Sequence, residues 1–217
     1  MKRLILTLSV LIFVLTGCAD NNNENQITSN EFNVAKLSTE IEANEQAKSE
    51  EISKTNEQPK QEEEIGKYST KIYDKSSDRQ NNLEITCSKL NGYIVKSGQT
   101  FSFEDTIGQA KKEEGYKKAK IFDSDGNVKE GYGGGKCQVS TTLFNAVRNI
   151  PGITVTERHN HSSKVPYAKA GDDAAVAHGG YDFKFINNND YDIKINASVD
   201  KKNIVITINK IQNNLHS

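Results

Sequence analysis

Apolar positions become periodic only beyond residue 67. Leu83, Cys87 and Leu90 fall at i, i+4 and i+7, one face of a helix that Ser77 or Asp78 can cap and Gly92 can end. Short strands follow at Tyr93 to Lys96 and Thr100 to Phe103, joined by Ser97-Gly98. Asp125-Gly126 marks a hairpin between Lys118 to Phe122 and Val128 to Glu130. A second amphipathic helix, Gln138 to Asn149, carries Val139, Leu143, Ala146 and Val147 on one face and closes at Pro151-Gly152. Beyond it Ile153 to Arg158 alternates, and Ala174 to His178 is a short apolar run. Tyr181 to Ile186, Tyr191 to Val199 and Ile204 to Lys210 read as an antiparallel meander with one face on the core. The pattern predicts an α+β domain with two main helices and a mostly antiparallel sheet.

The N-terminal third follows other rules. Lys2 and Arg3 precede a largely apolar run from Leu4 to Leu15, and Leu15-Thr16-Gly17-Cys18 supplies a small-residue cleavage region. The run is shorter than the roughly 20 residues that span a bilayer. Leu-Thr-Gly-Cys is similar to a bacterial lipobox, in which Cys18 is acylated and becomes the mature N-terminus, and stable anchoring then requires more than one acyl chain. Residues 18–66 are rich in Asn, Glu, Gln, Ser and Lys, too polar to offset the entropy of ordering, and read as a disordered tether. Its r.m.s. span is about 40 Å, enough to carry a domain away from the lipid. The expected organisation is a signal peptide over 1–17, the lipidated tether over 18–66, a domain over 67–211 and a tail over 212–217. The chain is expected on the outer face of the cytoplasmic membrane, extending into the cell wall.

The formal charge of −1 hides an uneven distribution, because Asp20 to Gly66 holds 4 Lys against 12 Asp plus Glu. The domain is mildly basic without runs of Lys or Arg, which argues against nucleic acid and suits anionic wall polymers. Of the 3 cysteines, lipid takes Cys18. Cys87 sits on a core face. A Cys87 to Cys137 disulfide stays open in an exported protein.

Cys137 carries the chemical interest, because Gly133, Gly134 and Gly135 precede it and a helix starts beside it. Glycines permit a tight turn and leave room for a substrate, while the unpaired N–H groups and macrodipole of a helix start favour an anion. One feature thus serves thiolate formation and an oxyanion hole. A small buried cysteine beside a structural turn is the competing reading. Lys136 is adjacent but has no firm role. The sequence offers His159 and His161, in Glu157-Arg158-His159-Asn160-His161-Ser162, as general base; a continuing strand would put both on one face. A zinc site built from His159, His161, Cys137 and His178 is the alternative. It gives the glycine turn no purpose, so the nucleophile is preferred and neither metal nor cofactor is expected.

Together these segments resemble the VanW family of envelope proteins, named after an accessory gene product of glycopeptide-resistance clusters. The resemblance runs through Gly98-Gln99-Thr100-Phe101-Ser102-Phe103 with Ile107-Gly108, Gly115-Tyr116-Lys117-Lys118-Ala119 and Gly133-Gly134-Gly135-Lys136-Cys137-Gln138-Val139-Ser140-Thr141-Thr142-Leu143. It continues through the His159 and His161 segment to Tyr167 and Gly171-Asp172-Asp173-Ala174. Lys136 departs from the aliphatic residue usual there. The resemblance implies peptidoglycan work, since members look like L,D-transpeptidases whose cysteine attacks a tetrapeptide stem, releases D-Ala and passes the acyl group to an amine. On that basis Cys137 is the nucleophile and His161 the base, with His159 in reserve. Asp173 is expected to orient the histidine or a neighbouring backbone turn, Arg158 to bind a stem carboxylate or form a surface ion pair, and Gly134, Gly135, Ser140 and Thr141 to line the site, the last two being alternatively ordinary helix residues. Transfer to water would make the protein an L,D-carboxypeptidase. A non-catalytic wall-binding or resistance-accessory module, or an assembly factor acting through protein contacts, are the other classes. Peptidoglycan stems, and the membrane through Cys18, are the expected partners; the sequence does not indicate an oligomeric state.

Overall fold

In a computed structural model of the chain, residues 62–122 and 127–212 are described. The signal peptide, Cys18, the tether up to residue 61, the Asp125-Gly126 turn and residues 213–217 lie outside them. The elements are β1 (Glu62–Lys71), α1 (Ser77–Leu90), β2 (Tyr93–Val95), β3 (Thr100–Ser102), α2 (Phe103–Ile107), a 3-10 turn (Lys112–Glu114), β4 (Lys118–Phe122) and β5 (Val128–Tyr132). α3 (Lys136–Val147), β6 (Ile153–Glu157), β7 (Lys184–Asn187), β8 (Asp192–Val199) and β9 (Asn203–Ile211) complete the chain. All strand pairings among the described residues are antiparallel, as is typical of an α+β domain.

The main sheet runs β1-β9-β8-β2, and a second runs β3-β7-β6. Alternation in β8 and β9 buries Ile193, Ile195, Ala197, Ile204, Ile206 and Ile208 on one face. Against that core lie Leu83, Cys87 and Leu90 of α1 and Val139, Leu143 and Val147 of α3. Phe101 and Phe185, stacked at 4.9 Å, join β3 to β7. Burial pushes the Cys87 thiol up to about 12, and Cys87 and Cys137 are both free, so no disulfide links them. Among the described residues no helix is long and apolar enough to cross a membrane.

Four expectations change. The three late strands do not form one meander: β8 and β9 pair, whereas β7 lies between β3 and β6. Asn187, fully buried at the end of β7, donates to Val95 O and Tyr191 O, which fixes the crossing between the two sheets. The strands on either side of Ser97-Gly98 likewise enter different sheets. α1 starts at Ser77 after Ser76, without a side-chain cap. Lastly, Glu62 to Gly66, read as tether, begin β1. A strand can be held by main-chain bonds without apolar alternation, and β1 pairs with β9 from Glu62↔Ile211 to Lys71↔Asn203. Gly66 allows close approach, since a Cβ there would lie 2.6 Å from Ala146 O.

A chain starting at Lys67 therefore loses the pairing of Glu62, Glu63, Glu64 and Gly66, and should be less stable by about 2 kcal/mol than one starting at Glu62. Urea unfolding of the two truncations measures this; equal stability would show that the added residues do not contribute.

Candidate active site

The site is built around the start of α3. Gly133 and Gly135 take positive φ, and the space a Cβ would need at Gly135 is filled by Leu83 Cδ2 at 2.9 Å. At Gly134 it is filled by the β4 backbone, 2.8 Å from Lys120 O. These glycines bring the turn against α1 and β4, rather than clearing space for a ligand on those faces. Eleven of the 12 residues of α3 are buried, and Cys137 is the exception. The helix is thus enclosed nearly all round instead of amphipathic, and it opens to solvent at the sulfur. The amides of Lys136, Gln138 and Val139 bond back to Gly133 O and Gly135 O, whereas that of Cys137 has no backbone acceptor among the described residues. It is the free donor that a helix start provides.

Lys136 turns away from the sulfur. Its Nζ donates to Glu104 Oε1 and Gly108 O, both at 2.8 Å, in an ion pair with side chains only 9% and 10% exposed. This pins the start of α3 to α2 and neutralises the charge whose effect on Cys137 the sequence left undefined.

His161 reaches Cys137 from the loop after β6. Asp173 Oδ2 accepts from both the His161 backbone N–H and ring Nδ1, each at 2.6 Å, with both side chains 7% exposed. Nε2 then faces Cys137 and the Tyr167 hydroxyl, the latter at 3.3 Å. Burial lowers the imidazole pKa, but hydrogen bonding and charge from Cys137, and then from Asp173, outweigh it and raise the group above its usual range. Burial pushes the Asp173 carboxyl up, but hydrogen bonds from His161 pull it below the usual range overall. The Cys137 Sγ lies 3.4 Å from Val176 O. Thiol, imidazole and carboxylate stand in series, an arrangement that can support cysteine acyl transfer.

α3 also holds the Asp173 segment. Thr141 Oγ1 accepts from Ala174 N at 3.0 Å, Asn145 donates to Asp172 O at 2.7 Å and Arg148 pairs with Asp172 at 2.6 Å. Thr141 and Ser140 are fully buried and do not line the cleft; Thr141 anchors this segment instead. His159 is not at the site. Its Nε2 bonds Glu157 Oε1 at 3.0 Å and its ring stacks on Tyr181 at 4.4 Å. Lys184, then His159, hold the Glu157 carboxyl down to about 2. β6 stops at Glu157, so strand parity does not extend through both histidines. Arg158 is likewise turned inward, donating to Asn160 Oδ1 and Asp173 O at 2.6 Å. It braces the loop instead of facing a substrate. His178 lines the far wall, half exposed, 3.6 Å from Glu104. Among the described residues no three His, Cys, Asp or Glu groups cluster as metal ligands.

The family model for VanW like protein matches residues 78–209, from the first turn of α1 to the end of β9. The chain belongs to the VanW family. It is 36% identical over 146 residues to the uncharacterized protein YoaR of Bacillus subtilis (strain 168), covering 67% of this chain and 48% of that one. To the Vancomycin B-type resistance protein VanW of Enterococcus faecalis it is 32% identical over 129 residues, 57% of this chain and 46% of that one. The chain thus spans about half the length of these curated relatives. No solved structure matches it.

In this VanW domain a cleft of about 410 Å³ opens over Cys137 and His161. Three of its lining residues carried no role in the sequence reading. Tyr167 was part of the family motif, and its phenol is pushed well above the usual range, first by burial and then by the charge of Cys137. Tyr73 stacks on Tyr167 at 5.9 Å, and Arg79 lies under the Tyr73 ring at 4.4 Å. The signal for Arg79 was present: it sits one helical turn before Leu83, on the buried face of α1.

The paired imidazole makes a measurable prediction. In Cys137→Ala two of the influences that raise the His161 pKa are gone while burial remains, so its pKa should fall. NMR titration of the His161 ring in both proteins tests this; an unchanged value would mean that sulfur and imidazole do not interact.

Proposed function

We propose that this protein is a lipid-anchored cell-wall enzyme, a cysteine L,D-transpeptidase that forms 3-3 peptidoglycan cross-links. The observation that carries the reading is the Cys137, His161 and Asp173 series opening into the cleft. In the first step His161 Nε2 takes the Cys137 thiol proton, giving thiolate and imidazolium. The Cys137 thiolate attacks the carbonyl of the third stem residue, forming the C–S bond, and the Cys137 N–H receives the developing oxyanion. The C–N bond to the terminal D-Ala breaks as the His161 imidazolium gives its Nε2 proton to the leaving amine. An amine of a neighbouring stem then attacks the thioester. His161 takes the proton, the amide forms and the thiolate is released.

Asp173 stabilises each imidazolium stage without itself taking up the proton, as its lowered pKa favours. The Tyr167 hydroxyl holds the ring from the Nε2 side. Membership of a family that includes a vancomycin resistance protein supports a substrate in the cell wall. Cys18 and the polar segment after it would supply the anchor and reach. Water in place of the acceptor amine gives the L,D-carboxypeptidase outcome from the same thioester.

Incubation with tetrapeptide muropeptides should yield cross-linked dimers, and Cys137→Ala should lower their rate roughly a thousandfold or more. Chromatography of the products decides: dimers formed equally by both proteins, or no product from wild type, would contradict the proposal.

A further inference from the structure

Arg79 is the one charged residue on the buried face of α1, beside Asn82, Leu83, Thr86, Cys87 and Leu90. It is 2% exposed, on the stripe that carries Leu83, Cys87 and Leu90. A buried charge is costly unless paired, yet among the described residues no carboxylate forms an ion pair with Arg79. Its Nη2 donates to Gln138 Oε1 at 2.9 Å, one ring face of Tyr73 covers it, and Nε has no partner. Asp74, whose carboxyl pKa is lowered first by the Ser76 backbone N–H and only in part by Arg79, does not line the cleft. A guanidinium offers planar, paired donors suited to a carboxylate.

The surroundings point the same way. None of the residues lining the cleft over Cys137 is acidic, while Arg79, Lys120 and Lys136 are all basic. Lys136 is spent on Glu104, and Lys120 is exposed on β4. Arg79 is therefore the buried, unpaired cation of the site. Its orientation is fixed in advance, because Gln138 donates to Thr70 Oγ1 at 3.2 Å and Lys71 O at 3.0 Å and so turns its oxygen toward the guanidinium. Gln138 follows Cys137 directly, which ties the cation to the nucleophile through one turn of α3.

We infer that Arg79 is the receptor for the terminal α-carboxylate of the peptide whose preceding carbonyl meets Cys137. The identity of that peptide rests on the acyl-transfer reading above. In a tetrapeptide stem the carboxylate belongs to the D-Ala that leaves, one residue or about 3.8 Å of chain beyond the scissile bond. Arg79 thereby makes the site selective for donors with one free residue after that bond. An amide-capped stem lacks the charge, and a pentapeptide carries it one residue too far. Arg79 positions the substrate; it takes no part in proton transfer.

Equilibrium binding to the full chain bearing Cys137→Ala, which prevents turnover, tests the inference. The probes are a stem tetrapeptide ending in free D-Ala and the same peptide ending in D-alaninamide. The acid should bind at least about tenfold more tightly than the amide. Adding Arg79→Gln should abolish that preference while leaving amide affinity within about twofold, and Arg79→Lys should retain part of it. No preference in the protein with Arg79 intact, no binding of either peptide, or equal weakening of both by Arg79→Gln would overturn it. If Arg79→Gln does not fold, Arg79→Lys decides in its place: a reduced acid-to-amide ratio supports the inference, and an unchanged ratio overturns it. Arg79-dependent preference without cross-linking by wild type would keep the carboxylate receptor and end the acyl-transfer reading. Cross-linking without that preference would end this inference alone.

Discussion

One buried helix fixes the distance between the groups on which the site depends. α3 presents Cys137 at its first turn, and further along Thr141, Asn145 and Arg148 grip the segment from Asp172 to Ala174. Asp173 in turn holds His161 by backbone and ring together. Sulfur and imidazole come from separate parts of the sequence, yet both are referenced to the same rigid element. Such rigidity suits acyl transfer, in which small errors in position cost much of the rate. The helix itself is held by its hydrophobic packing on α1, β1 and β9, and by the Lys136 to Glu104 pair at its start.

Charge is arranged with equal economy. Lys136, the basic residue nearest Cys137 in sequence, is neutralised by Glu104 and bonded to Gly108 O. Arg158 is consumed in bracing the loop. Asp173 is the carboxylate at the imidazole, placed behind the ring relative to the cleft, and the cleft wall carries no other acid. The Cys137 and His161 pair and Arg79 thus line one cleft whose wall carries basic but no acidic side chains.

The sequence made the two main helices legible, because Leu83, Cys87 and Leu90, and Val139, Leu143 and Val147, repeat with helical spacing and lie in the core. The β4 and β5 pair was similarly accessible on either side of Asp125-Gly126. Strand partners were not. β7 alternates much like β8 and β9, and only long-range contacts, such as Asn187 reaching Val95 O and Tyr191 O, assign it to the other sheet. β1 escaped notice because its side chains are polar and mostly exposed, and its order comes from the backbone. At the site, Cys137, His161 and Asp173 could be picked from residue type and motif. The shared face assumed for His159 and His161 is lost because β6 ends at Glu157, and Arg158 bonds the loop instead of lining the cleft. Arg79 and Tyr73 lie far ahead of Cys137 in the chain, and no local pattern reveals their convergence.

The claim that Cys137 is the acylated nucleophile is tested most directly by intact-mass analysis followed by peptide mapping after incubation with a carbapenem. The account predicts one covalent adduct, located on Cys137 and missing from Cys137→Ala, with Cys87 unmodified in its apolar surroundings. Unmodified protein, or an adduct at any other residue that persists in Cys137→Ala, would contradict it.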